Sequence, residues 1–527
     1  MFSVVALLAQ PIEDAPDPIA RIPVAWSAVA PILVLIGGAL VLLAADALKR
    51  RPPLKGSYAL VTTVTAGGAI AFAIPLWQRV QDADRGPFST LSQAVGVDGF
   101  SVFSTIVISA AVILGALLLD AWLRREGMDG AEPYVLMLLS ASGGVIMASA
   151  NDLIVVFLGL EILSIAVYVL AAMHLRKTTS QEAGIKYFVL GAFSSAFFLS
   201  GIALIYGGTG STNLVEISSF LSTTVVADGG LVLAGMALLL VGFGFKVAAV
   251  PFHFWTPDVY QGSPSPSVAW MASGVKVAGF AGLMRVFYLA FPTYRLDWQP
   301  LVFALAAVTL VVGSVLAVVQ TDVKRMLAYS SISHAGFVLV GVQAASDRGI
   351  EAALFYLGAY TFMVAGSFGV VSLVGRKGDI GHSLSDYRGL SKDRPVLALA
   401  FALFLFAQAG VPLTSGFFAK FYVITAAVDA GSTWLAGIAM LSSVIAAFLY
   451  LRIVVSMYME SDEGEVREAR HIPIPFTAGL ALGVSLLVTL AVGLFPGLLS
   501  GPASDATPAL VVEAAPASPD PTTLPTP

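Results

Sequence analysis

The sequence predicts an all-α polytopic membrane protein of about 14 transmembrane helices, ten of which form two inverted five-helix repeats. The first observation is composition: the 527 residues are 57% hydrophobic and 12% charged, with a mean hydropathy of +0.87. Soluble domains average roughly 45–50% apolar and about 25% charged residues. The other two observations are the recurrence of apolar stretches of about 20 residues, enough to cross a bilayer, and two such stretches interrupted by proline.

Composition also excludes several classes of function. The chain has no Cys, which excludes disulfides, thiolate-held iron-sulfur clusters, cysteine nucleophiles and Cys-containing zinc sites. The net charge is −5 and no long basic run indicates nucleic acid. No Rossmann or P-loop motif is present. The chemistry therefore depends on membrane helices and a few polar groups.

The N-terminal region, residues 1–131, is predicted to hold three helices. The residues before the first helix lack a basic n-region and contain an acidic, Pro-rich break from Ile12 to Pro18, so we expect a short surface segment. A cleaved signal peptide is the alternative. The predicted spans here are 24–46, 58–78 and 100–122.

The next two regions, residues 132–290 and 300–458, each contain five apolar stretches. The first five are 133–150, 152–174, 183–206, 230–254 and 267–290. The second five are 300–320, 325–343, 351–375, 396–427 and 433–458. A last helix at 474–496 lies in the region 459–499, and the Pro-rich residues 500–527 are predicted to be a disordered tail.

The positions of Lys and Arg predict the orientation. Loops after odd-numbered spans hold 17 of these residues, and loops on the other side hold 5. By the positive-inside rule the odd-numbered loops are cytoplasmic and both termini lie outside.

Six of the 28 Lys and Arg residues fall inside predicted spans and one carboxylate lies in mid-helix, where a charge costs about 2.5–3.5 kcal/mol. Such residues are rare unless they are paired or functional. They are Glu161, Lys186, Lys246, Lys276, Arg285, Lys420 and Arg452.

Glu161 and Lys246 are the strongest candidates for proton carriers. Glu161 has apolar residues for about two turns on each side, and Lys246 lies deep in the span from 230 to 254. A buried ammonium near a carboxylate has a charge that can be switched, as a proton carrier requires. The alternative for Glu161 is a structural ion pair between helices.

The remaining intramembrane cations divide by position and by type. Lys276 and Lys420 lie within long apolar stretches and are interpreted as carriers, with a structural role as the alternative. Lys186 lies near a helix start, where it can reach the surface, so a relay role and a surface role stay open. Arg285 and Arg452 keep their protons at ordinary pH and are interpreted as anchors or pairing partners.

Two of the five histidines, His253 and His334, are intramembrane. His253 follows Lys246 by seven residues, and His334 follows a hydroxyl-rich patch at Ser330, Ser331 and Ser333. An unperturbed imidazole pKa near 6.5 suits a relay group. The alternative is a neutral histidine bonded to a neighbouring helix. His174, His382 and His471 lie at membrane edges or in loops and give no functional signal.

Proline interrupts two predicted helices, at Pro251 and at Pro412. Proline removes a backbone donor and clashes with the preceding turn, so each helix is predicted to kink or unwind. The breaks lie at corresponding places in residues 132–290 and 300–458, which is the pattern of an inverted-repeat transporter with its ion path at the break. Five helices is an odd number, so the second repeat enters the membrane upside down.

Three motifs resemble the antiporter-like proton-pumping subunits of respiratory complex I. They are the run from Gly242 to Ala269, the run from Asp322 to Gly336, and Gly410, Val411 and Pro412. The resemblance extends from about Pro133 to about Arg452. Fourteen helices and the lysine at 420 are similar to the N-type subunit of bacterial NADH-quinone oxidoreductase. The M-type has glutamate there, and the L-type carries extra helices. The Ala- and Val-rich chain with its Pro-rich tail is similar to actinobacterial members.

The resemblance implies roles for individual residues. Glu161 and Lys246 match the family's glutamate and lysine partners, Lys276 the central lysine and Lys420 the lysine near the outlet. His253 and His334 match relay groups, with Lys186 a further candidate. We therefore expect a breakable Glu161–Lys246 ion pair. Its separation releases a proton that moves through Lys276, His253 or His334 and water toward Lys420, and then to the outside.

The resemblance also implies the surroundings of the chain. No redox cofactor is expected in it, while FMN and iron-sulfur clusters are expected in partner subunits. The implied partners are other complex I subunits, especially K, J and M, and lipids, with quinone and NADH handled by the complex in a cell membrane. Alternatives are a subunit of a cation/proton antiporter or membrane-bound hydrogenase, or a non-conducting scaffold.

Overall fold

A computed structural model of the protein describes residues 24–49, 54–128, 130–224, 229–459 and 474–508. The predicted N-terminal surface segment and His471 lie outside these residues. Three long helices and a short antiparallel hairpin come first. They are α1 (Trp26–Leu48), α2 (Ser57–Gln81), β1 (Phe88–Thr90), β2 (Val95–Val97) and α3 (Gly99–Glu126).

The region predicted as the first repeat contains both long and short helices. They are α4 (Glu132–Ser149), α5 (Leu153–Ala172), α6 (Thr178–Thr209), α7 (Leu214–Thr223), α8 (Gly229–Val247), α9 (Trp255–Gly262), α10 (Ser265–Trp270) and α11 (Lys276–Ala290). A π-helical turn, Met271–Val275, joins α10 to α11 in one continuous span and ends directly before Lys276.

The region predicted as the second repeat is built in a similar way. It contains α12 (Arg295–Val318), α13 (Val323–Gln343), α14 (Asp347–Val374), a 3₁₀ turn (Leu384–Tyr387), α15 (Leu390–Asp393), α16 (Pro395–Ala409), α17 (Ser415–Asp429) and α18 (Thr433–Tyr458). The chain then forms α19 (Phe476–Leu494) and α20 (Gly497–Ser504).

The predicted fold class is confirmed. Thirteen helical segments of the described chain are long and apolar enough to cross a membrane. They coincide with 13 of the 14 predicted spans, and the remaining one, 396–427, is divided between α16 and α17. The predicted tail differs at its start, because residues 500–504 belong to α20. Residues 509–527 lie outside the described residues.

Both proline-containing segments are broken helices. Between α8 and α9, residues 248–254 leave the helix, with Ala248 at φ +63° and a cis bond before Pro251. Between α16 and α17, Gly410 has φ +90° and Leu413 has φ +68°. Side chains satisfy backbone groups at both breaks, as a membrane interior requires. Val250 N donates to Thr309 Oγ1 (2.9 Å), and Lys420 Nζ donates to Ala409 O (2.8 Å).

The starts of α5 and α13 support the proposal of two inverted repeats. Asp152 caps α5 and forms an isolated β-bridge with Asn213, after which α7 begins. Asp322 caps α13 and forms the same kind of bridge with Ser383, before the 3₁₀ turn. The two constructions are 170 residues apart (322 minus 152) and lie, by the predicted topology, on opposite membrane faces.

The centre of the molecule is formed by the span α10–α11 together with α13 and α14. In the α10–α11 span and in α13, every residue of the most apolar stretch is buried, and in α14 89% of these residues are buried. In α1, α2 and α6 only about a third of the corresponding residues are buried. The most enclosed helices are thus the ones that carry Lys276 and His334.

Candidate proton path

Glu161 lies near the middle of α5, on a face that is partly open. Its side chain is half-buried, and Leu158, Ile162 and Ile165 beside it are 51%, 39% and 58% exposed. Ser195 Oγ on α6 donates a hydrogen bond to Glu161 Oε1. The carboxylate is therefore held at the edge of the chain, between α5 and α6.

Lys246 lies in the last turn of α8, directly before the break, and is 4% exposed. Its Nζ donates to Ser164 Oγ (2.8 Å), one turn beyond Glu161 on α5. The expected ion pair with Glu161 is not formed in this conformation, and the ammonium is hydrogen-bonded to Ser164 instead. Tyr187 lies beside the ammonium, 5.8 Å from Nζ to the ring centroid.

Lys276 follows the π-turn and is 3% exposed. Its Nζ donates to the carbonyl oxygen (2.5 Å) and the hydroxyl (2.6 Å) of Ser331 on α13. Gly279, one turn further along α11, packs against the Lys246 stem, since a Cβ there would lie 3.2 Å from Lys246 Cγ. Lys246 on α8 and Lys276 on α11 therefore lie near the place where these two helices pack together.

His334 is the centre of a hydrogen-bonded network beyond Lys276. Its Nδ1 is 2.6 Å from Tyr356 Oη, and its Nε2 is 3.0 Å from Tyr450 Oη. Tyr360 lies between the two sites, with its ring centroid 5.5 Å from Lys276 Nζ and 4.6 Å from the His334 ring. The Lys276 ammonium and the His334 ring therefore both lie beside the Tyr360 ring.

The network continues toward the second broken helix. Tyr450 Oη is 2.6 Å from Ser330 Oγ, which donates to Gln408 Oε1 (3.3 Å) in the last turn of α16. Gln408 Nε2 donates in turn to Ser367 Oγ (2.6 Å). Tyr356, Tyr450 and Gln408 were not predicted as site residues. A lone Gln before Gly410 was the one visible signal, because the two tyrosines look like ordinary core residues in the sequence.

Lys420 lies on α17 after the second break and is 6% exposed. Besides Ala409 O, its Nζ donates to Ser443 Oγ (2.9 Å) on α18. Phe337, one turn beyond His334, lies 4.9 Å from the ammonium. The ammonium therefore bridges the broken helix and α18.

His253 lies in the break between α8 and α9 and is 5% exposed. Its Nδ1 has no hydrogen-bond partner among the described residues, and its ring lies beside Phe254, whose side chain is 72% exposed. None of the network contacts above includes it. The geometry therefore does not place His253 between Lys246 and Lys276.

Lys186, Arg285 and Arg452, the three remaining intramembrane cations, make contacts typical of structural residues. Lys186 contacts Glu182 (2.7 Å) and Asp258 (2.8 Å) with 42% of its side chain exposed, which favours the surface interpretation. Arg285 is fully buried and paired with Asp98 (2.9 Å). Arg452 donates to Val318 O (2.8 Å) and Gln320 O (2.9 Å) and so ties α18 to the end of α12. The anchor interpretation of both arginines agrees with these contacts.

A buried charge cluster lies in the loop after α14 and was not predicted. Asp379 is 1% exposed and contacts Lys324 (2.8 Å), Arg125 (3.5 Å) and His382 (3.4 Å). Burial alone would raise the pKa of Asp379, but the Lys324 ammonium and His382 hold it well below its usual range. The loop sequence gave no signal, because short charged loops are normally solvated.

The arrangement as a whole is a row of buried amine, imidazole and hydroxyl groups through the middle of the chain. It runs from the α5–α6 edge, through the α8 break and the central helices, to the α17–α18 edge. Within the described residues, no three His, Asp or Glu side chains are grouped as metal ligands. Hydroxyl, imidazole and amine groups in sequence can pass protons, and the helix breaks open the backbone beside them.

Comparison with known proteins agrees with this architecture. The family described as "NADH:quinone oxidoreductase/Mrp antiporter, TM" matches residues 150–446. NADH-quinone oxidoreductase subunit N of Chloroflexus aggregans is 41% identical over 483 residues, which are 90% of this chain and 95% of that protein. The subunit N of Rhodococcus opacus is 45% identical over 71% of this chain and 68% of its own length. This agrees with the expected likeness to actinobacterial members.

A solved structure shows the same fold. A chain in the respiratory complex I of Thermus thermophilus with bound aureothin superposes with a TM-score of 0.75 at 33% identity. The match covers 89% of this chain and 98% of that one. The chain therefore belongs to the subunit N family of NADH-quinone oxidoreductase, among the antiporter-like membrane subunits.

Proposed function

We propose that this chain is a proton-translocating membrane subunit of NADH-quinone oxidoreductase. One observation supports this function above the others. Lys246, Lys276 and Lys420 are each at most 6% exposed, and each ammonium is hydrogen-bonded to hydroxyl or carbonyl oxygens rather than to a carboxylate of the described residues. A structural lock would pair a buried cation with an anion, as Asp98 pairs with Arg285.

The proposed route begins at the α5–α6 edge. When the Glu161 charge approaches Lys246, the ammonium is stabilised, and when it withdraws, the proton is released toward Lys276. Ser331 and Tyr360 connect Lys276 to the His334 network, and Lys420 receives the proton beside the second break. Each step moves one proton between groups of one chain, while the energy comes from quinone reduction in other subunits.

The test is proton pumping per NADH in membrane vesicles that hold the assembled complex. We expect Glu161→Gln and Lys246→Ala to lower pumping several-fold while the complex still assembles. Lys55→Ala, which removes an exposed lysine, is the matched control and should leave pumping unchanged. Normal pumping in either of the first two variants would falsify the assignment of that residue.

The proposal extends to partners and cofactors. FMN, the iron-sulfur clusters and the NADH and quinone sites belong to partner subunits, and K, J and M are the proposed membrane neighbours. The exposed apolar residues around Glu161 suit a face that packs against another membrane subunit. Purification of the native assembly with identification and cross-linking of its subunits tests this proposal. The antiporter alternative is not favoured, because the curated relatives named above are subunit N.

The proposed location is the cell membrane with both termini outside. The asymmetry of 17 against 5 basic residues supports this orientation. A protease-sensitive tag at each terminus should be cut by protease added to the outside of intact spheroplasts. Protection of both tags would reverse the orientation.

A further inference from the structure

A cavity of ≈510 Å³ opens where several helices end on the predicted cytoplasmic face. Its lining comes from the start of α6, from α9, from the residue that caps α13 and from the loop after α14. All of these segments adjoin loops that follow odd-numbered spans. Charged groups of both signs line it, including Lys177, Asp258 and Asp322.

His382 lies in the wall of this cavity and is the group best placed to exchange a proton there. Its side chain is 6% exposed, and neither ring nitrogen has a hydrogen-bond partner among the described residues. Its Nε2 lies 3.4 Å from Asp379 Oδ1. A buried imidazole next to both a carboxylate and a polar cavity is suited to transient protonation.

Asp379 connects His382 to Lys324, which lies on the inner side. Lys324 is fully buried, and its Nζ contacts Asp379 Oδ2 (2.8 Å) and Ser263 O (2.6 Å). Ser265 Oγ also donates to Asp379 (3.2 Å). The carboxylate therefore holds an imidazole on one side and an ammonium on the other.

The cluster is attached to both helices that hold the central lysine. Ser265 is the first residue of the α10–α11 span, which leads to Lys276. Lys324 lies seven residues, about two turns, before Ser331 on α13, and Ser331 accepts from Lys276. The cluster therefore lies at the predicted cytoplasmic ends of the two helices that meet at Lys276.

The charges around the cluster are fixed by further contacts. Lys177 Nζ donates to Asp379 O (2.8 Å), Arg125 approaches Asp379 from α3, and Arg125 is also paired with Glu126 (2.9 Å). Burial lowers the pKa of His382, while the contact with Asp379 opposes this shift and Lys324 reinforces it. The neutral imidazole is therefore favoured, and a protonated His382 gives up its proton readily.

We propose that this cavity is the proton uptake site, with His382 as the first acceptor and the Asp379–Lys324 pair as the relay toward Lys276. This inference rests on the proposed proton translocation. Lys324 gives one proton to water on the side of Lys276. Asp379 passes the proton of His382 on to Lys324, and His382 takes a new proton from cavity water. Asp379 carries the proton only in transit, and the cycle moves one proton without electrons or further reactants.

The first test compares two buried histidines of the same face in the assembled complex. His382→Gln should lower proton pumping per NADH several-fold. His174→Gln should change it by less than twofold, because His174 lies beside Glu126 (3.5 Å) and outside the cavity lining. Normal pumping in His382→Gln together with a defect in Glu161→Gln would overturn the uptake site alone. Normal pumping in both would also contradict the proposed function.

The second test does not depend on altering the relay. The chain has no Cys, so Thr179→Cys places one thiol in the cavity wall, and Ser385→Cys places one in a separate groove on the same face. A bulky, membrane-impermeant maleimide added to the cytoplasmic side should reduce pumping in the Thr179 variant only. Treated wild type controls for thiols of partner subunits. Complete labelling of Thr179→Cys without loss of pumping would overturn the proposal.

Discussion

At the residue scale, the buried charges of this chain are of two kinds. Arg285 is fully buried with a carboxylate partner, Asp98, and it also donates to Ala150 O (2.6 Å). Lys246 and Lys276 are nearly as buried but bond to hydroxyl and carbonyl oxygens. Arginine keeps its proton, whereas lysine can lose one, so the residue types match a structural and a transport role respectively.

Removing the partner of Arg285 should therefore destabilise the protein. Asp98→Asn leaves a buried guanidinium without a counter-charge, a change that costs about 3–5 kcal/mol. We expect a large loss of assembled complex and a lower thermal stability of what remains. Asp429→Asn is the control, because the Arg348–Asp429 pair is about half exposed and such pairs contribute roughly 0–1 kcal/mol. Equal effects of the two changes would contradict the structural role.

The tyrosine between His334 and Ser330 gives a second residue-scale prediction. Tyr450→Phe removes the hydroxyl that contacts both side chains, while Ser330 keeps its contact with Gln408 and His334 its contact with Tyr356. We expect several-fold slower proton pumping with normal assembly. Tyr458→Phe, on the same helix but half exposed, should have no effect on pumping. A normal rate in Tyr450→Phe would remove this hydroxyl from the path.

At the element scale, the broken helices carry two of the proposed proton carriers. Lys246 ends α8 and Lys420 follows the break between α16 and α17. Each break exposes backbone groups that a continuous helix would bond internally, and side chains satisfy several of them. A π-helical turn interrupts the α-helix directly before Lys276. Such turns are frequent at functional sites.

The second break should be sensitive to its glycine. Gly410 has φ +90°, and a Cβ there would lie 3.0 Å from Lys420 Cδ, so Gly410→Ala strains the backbone and displaces the lysine. We expect lower thermal stability of the assembled complex and slower pumping. Gly437→Ala is the matched control, because that helical site has open space and alanine favours helix by roughly 0.5–1 kcal/mol. Unchanged thermal stability and pumping in Gly410→Ala would show that the break does not need this backbone conformation.

At the scale of the whole molecule, the loop after α14 joins distant parts of the chain. Asp379 contacts Arg125 near the end of α3 and Lys324 at the start of α13, and Lys177 before α6 donates to its carbonyl oxygen. The cluster thus connects the N-terminal segment with both predicted repeats.

This junction predicts a dependence of stability on pH. Burial lowers the pKa of His382, so as pH falls through about 6.5 the unfolded chain binds a proton that the folded chain does not. Stability should then fall by at most about 1.4 kcal/mol per pH unit. The pKa of Asp379 is well below 3.8, so its ion pair persists throughout this window and is lost only at lower pH.

Thermal unfolding of the purified complex between pH 7.5 and 5.5 measures this effect. The wild type should lose more thermal stability on acidification than His382→Gln, because glutamine does not titrate. Parallel curves for the two proteins would show that His382 does not titrate on unfolding in this range.

The sequence alone determined the membrane fold, 13 of the 14 predicted spans, the two helix breaks and the burial of Lys246, Lys276 and Lys420. The length of an apolar stretch, a proline within it and a charge in lipid each have strong local energetic effects. The sequence therefore reveals them without knowledge of the neighbouring helices. The tertiary structure decided what each charge contacts. Lys246 is hydrogen-bonded to Ser164 rather than paired with Glu161, His253 lies outside the hydrogen-bonded network around His334, and Lys186 lies at the surface. Asp379 and His382 were missed because burial of a loop depends on helices distant in sequence, which no local pattern records.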